Sequence, residues 1–482
     1  MKGLLTAFLV GLAVATQSVR AAETPAAPQE PDYAAEITAA RFADTDVGFL
    51  VVDLADGAAV AAHNPDRLFI PASVAKVPTI AAALEILGAD YRFATTVEAV
   101  GEVKDGVLSG TLVLRGGGDP FLSSDDLKQM ADQLASSGIK RVDGTFLYDA
   151  TELTEVAEIN PLQPQAAGYN TGVSALSVNF NRVRVNWQKS AANATAAAMA
   201  VSEDLTVPLD AIALSFAAAD GPGPYVRTGD EGEESWLLSP TLADKGEDWL
   251  PVGNSSRITA EVFRTLAAAA GVDLPEPAAG TVPPGAREIV HHDSIPLSEI
   301  AGGVLKYSNN LSAELIGLTA SKALTRRTFD LAGSGSALAA WWQLRLPDAD
   351  WTGLELHNHS GLSSDTRVTA RQIVTMLEAA SVSAGGADFH DLLKAISWKG
   401  VKGTARVKTG TMSYGRGLAG YIDAASGRRL AFAIFFNDLE KRAALDAAFN
   451  PYTTAIDPDS RGWRGRALKL EQDLTSGWAD RF

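Results

Sequence analysis

The chain has 482 residues, too many for one ordinary core, and its 46% hydrophobic and 21% charged content is typical of a globular protein with two or three domains. A formal net charge of -17 argues against nucleic acid as a partner, because phosphate backbones are bound by basic surfaces. The absence of cysteine excludes disulfides, thiolate metal sites and cysteine nucleophiles.

The N-terminus predicts export to the periplasm. Lys2 is followed by an apolar run over residues 4–15 and by small residues around Ala21, the pattern of a signal peptide over residues 1–21. The apolar run is short for a bilayer span, so we expect no integral membrane anchor, the alternative being an uncleaved anchor. Residues 22–31 are rich in proline and alanine and are expected to form a linker.

The first predicted elements lead to a possible nucleophile. Residues 47–53 are apolar enough for a strand, residues 58–62 could return as its hairpin partner, and a helix is predicted to start at Pro71. Ser73 and Lys76 are three residues apart, so they share one face of this helix near its partly positive N-terminus. A hydroxyl beside an amine there can be an activated nucleophile with its base, the alternative being a serine followed by a solvated lysine.

The middle of the chain has its own set of predicted elements. The predicted strands cover 93–100, 107–114 and 144–148, and the predicted helices cover 125–138 and 258–270. The glycine-rich residues 116–120 lack the spacing of a nucleotide-binding loop and are interpreted as a tight turn. Between residues 188 and 248 the composition changes, which indicates a small β-rich subdomain.

The C-terminal part predicts helices followed by a strand meander. The predicted helices are 296–305, 311–324, 367–380 and 464–474, and the predicted strands are 405–411, 417–423 and 430–436. The three late strands and the two early ones would form one antiparallel sheet, interrupted by an insertion over about residues 92–271. The last helix is expected to dock on that sheet.

The late strand over residues 405–411 carries a second chemical motif. Lys408 brings positive charge to the strand, and the hydroxyls of Thr409 and Thr411 could help it to hold a carboxylate. Side chains alternate along a strand, so Lys408 and Thr409 are expected to face opposite ways. Gly410 removes a side chain where the backbone of a ligand could lie. The alternative interpretation is an ordinary strand end.

Three short motifs in a fixed order resemble those of the penicillin-recognising serine enzymes, which are the penicillin-binding proteins and the serine β-lactamases. The motifs are Ser73-x-x-Lys76, Ser308-x-Asn310 and Lys408-Thr409-Gly410. The gap between the first two is much longer than in a β-lactamase and contains Arg115–Pro120 and Tyr169–Leu176. In this respect the chain resembles the class C low-molecular-mass penicillin-binding proteins, the D-alanyl-D-alanine carboxypeptidase/endopeptidases.

The resemblance implies an α+β fold: a β-lactamase/transpeptidase-like domain, with an antiparallel sheet flanked by helices, and a nested two-domain insertion. The expected boundaries are 32–91 and 272–482 for the catalytic domain, 92–187 and 249–271 for the second domain, and 188–248 for the third. The implied activity is a serine-type D-Ala-D-Ala carboxypeptidase that acts on peptidoglycan stem peptides and binds penicillin. The implied ligands are peptidoglycan peptides and β-lactams, with no cofactor and no metal.

The resemblance also implies roles for single residues. Ser73 would be the acylated nucleophile, with Lys76 as its base. Ser308 would pass a proton to the leaving group, while Asn310 would hold the substrate amide. Lys408 would polarise Ser308 and attract the terminal carboxylate. The substrate-binding residues would be Thr409, Gly410, Thr411 and Asp149, with the N–H groups of Ser73 and Thr411 as the oxyanion hole and Asp149 near the free amino end of the peptide.

Two departures from the family pattern concern the substrate side chain. The family usually has Asp-Gly-Ser-Gly-Leu-Ser followed by a basic residue, whereas here residues 358–363 are Asn-His-Ser-Gly-Leu-Ser and Ser364 follows. His359 therefore replaces a small residue, and the basic side chain is missing.

The six histidines suggest two alternatives, both weaker. A Ser-His-Asp hydrolase would require a histidine beside a nucleophile, but no Gly-x-Ser-x-Gly elbow is present. His357 and His359 could bind zinc together with His291 or His292, although polar loop positions are the simpler expectation. Two further functions stay open: a β-lactam hydrolase or D-amino-acid esterase that uses the same serine, and a non-catalytic peptidoglycan-binding protein.

Overall fold

A computed structural model of the protein describes residues 32–190, 193–217, 223–229, 232–452 and 457–482. The predicted signal peptide over 1–21 and the predicted linker over 22–31 lie outside the described residues. Within the described ranges, no helix is long and apolar enough to cross a membrane.

The α-helices in the described ranges are α1 (Tyr33–Ala39), α2 (Lys76–Leu87), α3 (Ser124–Ser136), α4 (Ser255–Ala269), α5 (Leu297–Tyr307), α6 (Asn310–Thr325), α7 (Leu331–Arg345), α8 (Ala370–Val382), α9 (Phe389–Leu392), α10 (Leu439–Ala447) and α11 (Pro458–Arg481). The strands are β1 (Val47–Asp53), β2 (Ala59–His63), β3 (Ala94–Lys104), β4 (Val107–Gly116), β5 (Arg141–Asp149), β6 (Arg182–Lys189), β7 (Ala194–Val201), β8 (Thr206–Pro208), β9 (Ile212–Phe216), β10 (Tyr225–Arg227), β11 (Glu234–Leu238), β12 (Lys245–Pro251), β13 (Pro277–Ala279), β14 (Arg287–Asp293), β15 (Lys394–Ser397), β16 (Thr404–Met412), β17 (Gly415–Asp423) and β18 (Arg429–Asn437).

The first and last parts of the chain share one antiparallel sheet, as predicted. Its order is β15-β16-β17-β18-β1-β2, so the N-terminal hairpin pairs with the C-terminal meander through β1 and β18. The short edge strand β15 was not predicted. The two halves of this sheet are far apart in sequence, and the strands between β2 and β15 form separate sheets, so a segment that carries those strands is inserted into one domain.

Helices cover both faces of this sheet, which explains why β1 is buried along its whole length. Leu50 and Val52 point into a core shared with α2, α5, α6, α7 and α8. Phe49 and Val51 point the other way, into a core completed by α1 and by Trp478 of α11. Because side chains alternate along a strand, β1 contributes residues to two separate cores. The expectation that the last helix docks on the sheet is confirmed.

The inserted segment is built on a five-stranded sheet whose order is β13-β5-β4-β3-β14. Helices α3 and α4 pack on it through Leu127, Met130 and Phe263. Strands β13 and β14 also belong to this sheet and carry it to Asp293, past residue 271, where the insertion was predicted to end. The proline-rich residues between 275 and 284, which indicated a boundary, connect strands of one sheet instead.

A smaller β-rich unit is nested in the insertion, as expected. It consists of the four-stranded sheet β12-β6-β7-β8 and the three-stranded sheet β10-β11-β9. Strand β6 pairs with β12 from Arg182 opposite Pro251 to Gln188 opposite Lys245, so these strands extend a few residues beyond the predicted range of 188–248. Strand β6 begins the unit, and the side chain of its first residue, Arg182, lies close to Gly168 in a loop of the insertion.

A small apolar cluster joins the insertion to the catalytic domain. Leu153 and Val173 of the insertion pack against Leu311, Leu315 and Leu318 of α6. These contacts bring a loop of the insertion over the N-terminus of α6, where the second sequence motif lies.

Candidate active site

Ser73 lies in a tight turn at the entrance to α2. Residues Ala72–Ala75 form a 3-10 turn that leads directly into the helix, and Ala72 has a φ of 46°, a left-handed conformation that is costly for a residue with a side chain. Ser73 is partly exposed, whereas Val74, Ala75 and Lys76 are buried. The turn therefore leaves the Ser73 hydroxyl accessible and holds the Lys76 amine in the interior behind it.

Three oxygen atoms surround the Lys76 amine. Its Nζ lies 3.0 Å from Ser73 Oγ, 2.8 Å from Asn310 Oδ1 and 2.7 Å from the carbonyl oxygen of Ser360. Asn310 donates from Nδ2 to the Tyr169 carbonyl at 3.0 Å, which orients its oxygen towards Lys76. The Ser360 carbonyl and Asn310 Oδ1 only accept hydrogen bonds. A neutral amine would donate both protons to them, leaving its lone pair for the Ser73 hydroxyl.

The surroundings of Lys76 favour this neutral form. Burial, together with the positive charge of Lys408, lowers the pKa of the Lys76 amine well below its ordinary value. The nearby Glu314 carboxylate opposes that shift, and burial raises the pKa of Glu314 itself. Burial and the Lys408 charge both increase the share of Lys76 in the neutral form, which can accept a proton.

Glu314 also shapes the loop that contacts Lys76. Its two carboxylate oxygens accept from the backbone N–H groups of His359 at 3.0 Å and Ser360 at 2.9 Å. Glu314 follows Asn310 by four residues on α6, so both side chains lie on one face of the helix. One face of α6 thus fixes two of the three partners of Lys76.

Ser308 and Lys408 form the second pair of the site. Ser308 ends α5 in a left-handed conformation with a φ of 61°, and its Oγ accepts from Lys408 Nζ at 2.9 Å. Lys408 also donates to the Thr409 carbonyl at 2.6 Å. Burial lowers the pKa of Lys408 to about 7, with the Arg416 guanidinium as a further cause. Lys408 thus changes its charge close to neutral pH.

Strand β16 brings the third motif against the Ser73 turn. Lys408 is buried and Thr409 is exposed, as the alternation of a strand predicts. A Cβ atom on Gly410 would lie 2.4 Å from the Pro71 carbonyl oxygen and 3.1 Å from the Ser73 nitrogen. The space that a side chain on Gly410 would need is therefore filled by the protein's own backbone, and the expected role of this glycine in substrate binding stays a prediction.

The edge of β16 next to Ser73 is open to a peptide. Strand β15 pairs only with residues 404–407 of β16, and no other described strand pairs on that side with residues 408–412. Thr411 is exposed on this edge, and its Oγ1 accepts from Arg416 at 2.9 Å. Arg416 in turn forms a bidentate ion pair with Glu471 of α11, so the closing helix supports the binding edge.

These groups line a cavity of about 390 Å³. Its wall includes Ser73, Ser308, Asn310 and Thr411, together with Tyr169 from the insertion. The wall also includes further residues of the catalytic domain, among them Leu362, Ser364, Met412, Ser413, Arg442 and Arg464. Ser364, which stands where the family has a basic residue, donates to Asp446 at 2.7 Å.

Asp149 stands apart from this cavity. Its carboxylate is 5% exposed and accepts from Thr151 Oγ1 at 2.6 Å, from Thr151 N at 3.0 Å and from Val282 N at 3.0 Å. Although burial alone would raise it, these hydrogen bonds hold the pKa of Asp149 below its ordinary value. Asp149 thus ties the end of β5 to the loop before β14. Its predicted contact with a substrate amine stays a prediction.

The sequence left zinc binding by the histidines open as an alternative. In the parts of the chain that the structure describes, no group of three or more histidine, aspartate and glutamate side chains could hold a metal ion. His359 is fully buried rather than exposed in a loop, with Nε2 2.7 Å from Ser334 Oγ and Nδ1 3.4 Å from Thr79 Oγ1. Burial lowers its pKa to about 3, so the ring is neutral.

Comparisons with known proteins identify a family, a curated relative and similar solved structures. The model of the D-Ala-D-Ala carboxypeptidase 3 (S13) family matches residues 32–451. A D-alanyl-D-alanine carboxypeptidase of Actinomadura sp. (strain R39) is 30% identical over 435 residues, which are 81% of this chain and 77% of that protein. The crystal structure of penicillin binding protein 4 of Haemophilus influenzae is similar with a TM-score of 0.72 and 19% identity, over 90% of this chain and 96% of that one. The same protein complexed with a β-lactam gives a TM-score of 0.69 at 19% identity, with the same coverage of both chains.

Proposed function

Because the chain belongs to the D-Ala-D-Ala carboxypeptidase 3 (S13) family, we propose that it is a serine-type D-alanyl-D-alanine carboxypeptidase/endopeptidase that acts on peptidoglycan stem peptides and is acylated by penicillin at Ser73. One observation carries the assignment of the nucleophile. The Lys76 amine faces the Ser73 hydroxyl while two oxygens that can only accept occupy its other contacts. This is the arrangement of a nucleophile with its general base.

Acylation begins when Ser73 Oγ attacks the carbonyl carbon of the penultimate D-alanine and its proton passes to Lys76. The N–H groups of Ser73 and Thr411 stabilise the oxyanion, a contribution of about 3–4 kcal/mol per donor. The charged Lys408, with the Thr409 and Thr411 hydroxyls beside it, binds the terminal carboxylate along the open edge of β16. The amide C–N bond then breaks, and the leaving amine takes its proton through Ser308.

Deacylation uses the same general base. A water molecule attacks the ester on Ser73, Lys76 accepts its proton, and the acid product leaves as Ser73 recovers its hydrogen. In this cycle, side chains of the protein itself accept and donate the protons that are transferred.

Labelled penicillin tests this proposal directly. We expect a stable adduct that peptide mapping places on Ser73 and that is lost in Ser73→Ala. A folded protein that hydrolyses penicillin rapidly without a stable adduct would be a β-lactamase instead, and a folded protein that is not acylated would be a binding protein. Release of D-alanine from a pentapeptide checks the peptidase activity itself.

We also propose that the chain is exported to the periplasm by a signal peptide over residues 1–21. A substrate in the cell wall is available only outside the cytoplasm, which supports this location. N-terminal sequencing of the mature protein should begin at Ala22, and a retained Met1 would contradict the proposal.

A further inference from the structure

The outer face of the nested four-stranded sheet carries polar side chains around one exposed tryptophan. Side chains alternate along a strand, so every second residue of β6 and β12 lies on this face. Three cross-strand pairs form it, which are Trp249 with Arg184, Glu247 with Asn186 and Lys245 with Gln188. The intervening residues of β6 point into the core of the insertion. Strand β7 continues the sheet beyond β6, and residues 186–188, 195–197 and 245–247 line a cavity of about 510 Å³.

Exposed aromatic rings connect this face with the catalytic cavity. Among the residues that the structure describes, three aromatic side chains are largely exposed, Tyr169 at 52%, Trp249 at 41% and Tyr307 at 74%. Tyr169 lines the catalytic cavity and also, with Tyr307 and Arg182, a neighbouring cavity of about 510 Å³. The guanidinium carbon of Arg182 lies 5.9 Å from the centre of the Trp249 ring. The three rings therefore follow one path from the catalytic cavity to the nested sheet.

Such a path is suited to a polysaccharide. Large apolar groups that are exposed next to one another mark a binding surface. A pyranose ring has a face of C–H groups, which packs on the electron-rich face of an aromatic ring, and hydroxyl groups around its edge. The amide side chains of Asn186 and Gln188, on the same face as Trp249, offer donors and acceptors to such hydroxyls.

Two polar atoms on this face have no partner. Nε of Arg184 and Oδ1 of Asn186 each expose less than 1 Å², and no group in the described parts of the chain forms a hydrogen bond with either. An unpaired buried donor and an unpaired buried acceptor each cost free energy. A hydroxyl can satisfy both because it donates and accepts, whereas the oxygen of an ionised phosphate or carboxylate only accepts. The two atoms therefore favour a ligand that is rich in hydroxyl groups.

The charges disfavour an anionic polymer. Glu247 is exposed in the middle pair of this face, where its carboxylate would repel a chain of phosphates or carboxylates. The formal net charge of -17 acts in the same direction over longer distances. A polysaccharide whose sugar units are mostly uncharged meets neither obstacle.

We propose that the outer face of β12, β6 and β7, with Trp249 as the ring on which a sugar stacks, binds the glycan chain that carries the stem peptides. The ligand class is a polysaccharide of N-acetylated amino sugars. The proposal rests on the proposed function for the source of this chain, because stem peptides are branches of such a polysaccharide. The nested unit would then hold the glycan while Ser73 acts on its branches, and would keep the enzyme on the polymer between turnovers.

The first test measures binding of peptide-free glycan chains to the full-length protein, both free and after acylation by penicillin, which occupies the catalytic cavity. We expect similar affinities in the two states. Trp249→Ala should weaken binding by about tenfold or more because the stacked ring is lost, and Trp249→Phe should recover part of the affinity. Asn186→Ala should weaken it by about three- to tenfold through the lost hydrogen bond. Leu344→Ala, which shortens an 82% exposed side chain of α7, is the control and should bind normally.

The second test compares D-alanine release from pentapeptides that are attached to glycan chains with release from a free pentapeptide. In Trp249→Ala the ratio of kcat/KM for the attached to kcat/KM for the free substrate should fall by about tenfold, through KM. The free pentapeptide should be cleaved at the parent rate, which also shows that the variant is folded. Leu344→Ala should keep the parent ratio.

The outcomes separate this proposal from the proposed function. A parent protein that does not bind the glycan chains, or a Trp249→Ala protein with the parent affinity and ratio, overturns the glycan surface and leaves the peptidase standing. Binding that a free stem peptide displaces, or that only a polyanion such as heparin reproduces, also overturns it, because the occupant would then be a peptide or a charged polymer. A protein that binds glycan chains but neither releases D-alanine nor is acylated by penicillin overturns the proposed function instead.

Discussion

His359 occupies the space that a side chain on Gly317 would need: a Cβ atom built on Gly317 would lie 2.1 Å from Cγ of the His359 ring. The histidine that replaces the family's small residue is therefore matched by a glycine on the facing turn of α6. The ring is neutral and buried, and its backbone N–H belongs to the loop that ends at Ser360. His359 in the loop and Gly317 in the helix thus form a packing pair.

This pair predicts a reversal of sign in a double-mutant cycle. Gly317→Ala alone should lower the free energy of unfolding by about 2–3 kcal/mol, because the buried ring has no space to move. His359→Ala alone should cost about 2–4 kcal/mol through the cavity that it leaves. In the His359→Ala background, Gly317→Ala should instead stabilise by about 1 kcal/mol, because alanine is the better helix former. Urea unfolding of the four proteins measures the cycle, and simple additivity would contradict the pairing.

Glu314 predicts a change in pH dependence rather than in stability alone. Glu314→Gln keeps the size of the side chain but removes the charge that raises the pKa of Lys76, so that pKa should fall further. Since the base must be unprotonated, the acid limb of penicillin acylation should move to lower pH. The carboxylate of Glu314 accepts from two backbone N–H groups, those of His359 and Ser360, whereas the oxygen of an amide can replace only one of its two oxygens. The acylation rate near pH 7 should therefore fall by about 10- to 100-fold.

The measurement is the second-order acylation rate between about pH 4 and pH 9, over the range where a depressed lysine titrates. Glu299→Gln, which changes an exposed carboxylate on α5, is the matched control. A slower Glu314→Gln enzyme with an unmoved acid limb would mean that Glu314 only holds the loop.

The three motifs and the main sheet could be predicted because their signals are local. Ser73 and Lys76 share a helix face, Lys408 lies on a strand, and the sheet follows from apolar strands at both ends of the chain. Glu314 was missed because its role depends on a loop distant in sequence, although its spacing of four from Asn310 is a helical signal that could have indicated it. His359 was expected in a polar loop, since nothing in its neighbourhood in sequence shows that Gly317 faces it.

Helix α7 shows how tertiary packing can overrule a local sequence pattern. Residues 331–345 contain Gly333 and Gly335, which are poor helix formers, yet burial of Leu338 and Trp342 holds the helix. Gly335 is required there, because a Cβ atom would lie 2.2 Å from the Leu356 carbonyl oxygen. Tertiary packing therefore decides this helix, and only the folded chain reveals it.

Asp149 should prove to be a structural residue. Asp149→Ala removes the acceptor for three hydrogen bonds, two of them from backbone N–H groups, and should lower the free energy of unfolding by about 1–3 kcal/mol. Asp143→Ala, an exposed position on the same strand, should be nearly neutral. If Asp149→Ala instead raises KM only for peptides with a free side-chain amine and leaves stability intact, the carboxylate binds substrate after all.

Gly410 should be more sensitive than an ordinary strand glycine. In Gly410→Ala the new Cβ would meet the Pro71 carbonyl at 2.4 Å, so β16 must move away from the Ser73 turn. A displacement of this kind should lower penicillin acylation by about 100-fold, since it separates the two N–H groups of the oxyanion hole. Gly465→Ala, on an open face of α11, should not change the rate. The measurement is the rate of penicillin acylation, with circular dichroism to verify the fold. A normal rate in Gly410→Ala would show that β16 can shift without loss of activity.

Lys408 should set the alkaline limit of the peptidase reaction. Burial, with the Arg416 charge as a second cause, lowers its pKa to about 7, so the amine is charged below that pH and neutral above it. Because the charged form attracts the substrate carboxylate, kcat/KM for D-alanine release should fall as the pH rises through about 7. Arginine stays charged across this range, so Lys408→Arg should be slower overall but should lose this alkaline limb. A peptide amide, which has no terminal carboxylate, should be a poor substrate at every pH and should not show the limb. An alkaline limb that persists unchanged in Lys408→Arg would assign it to another group.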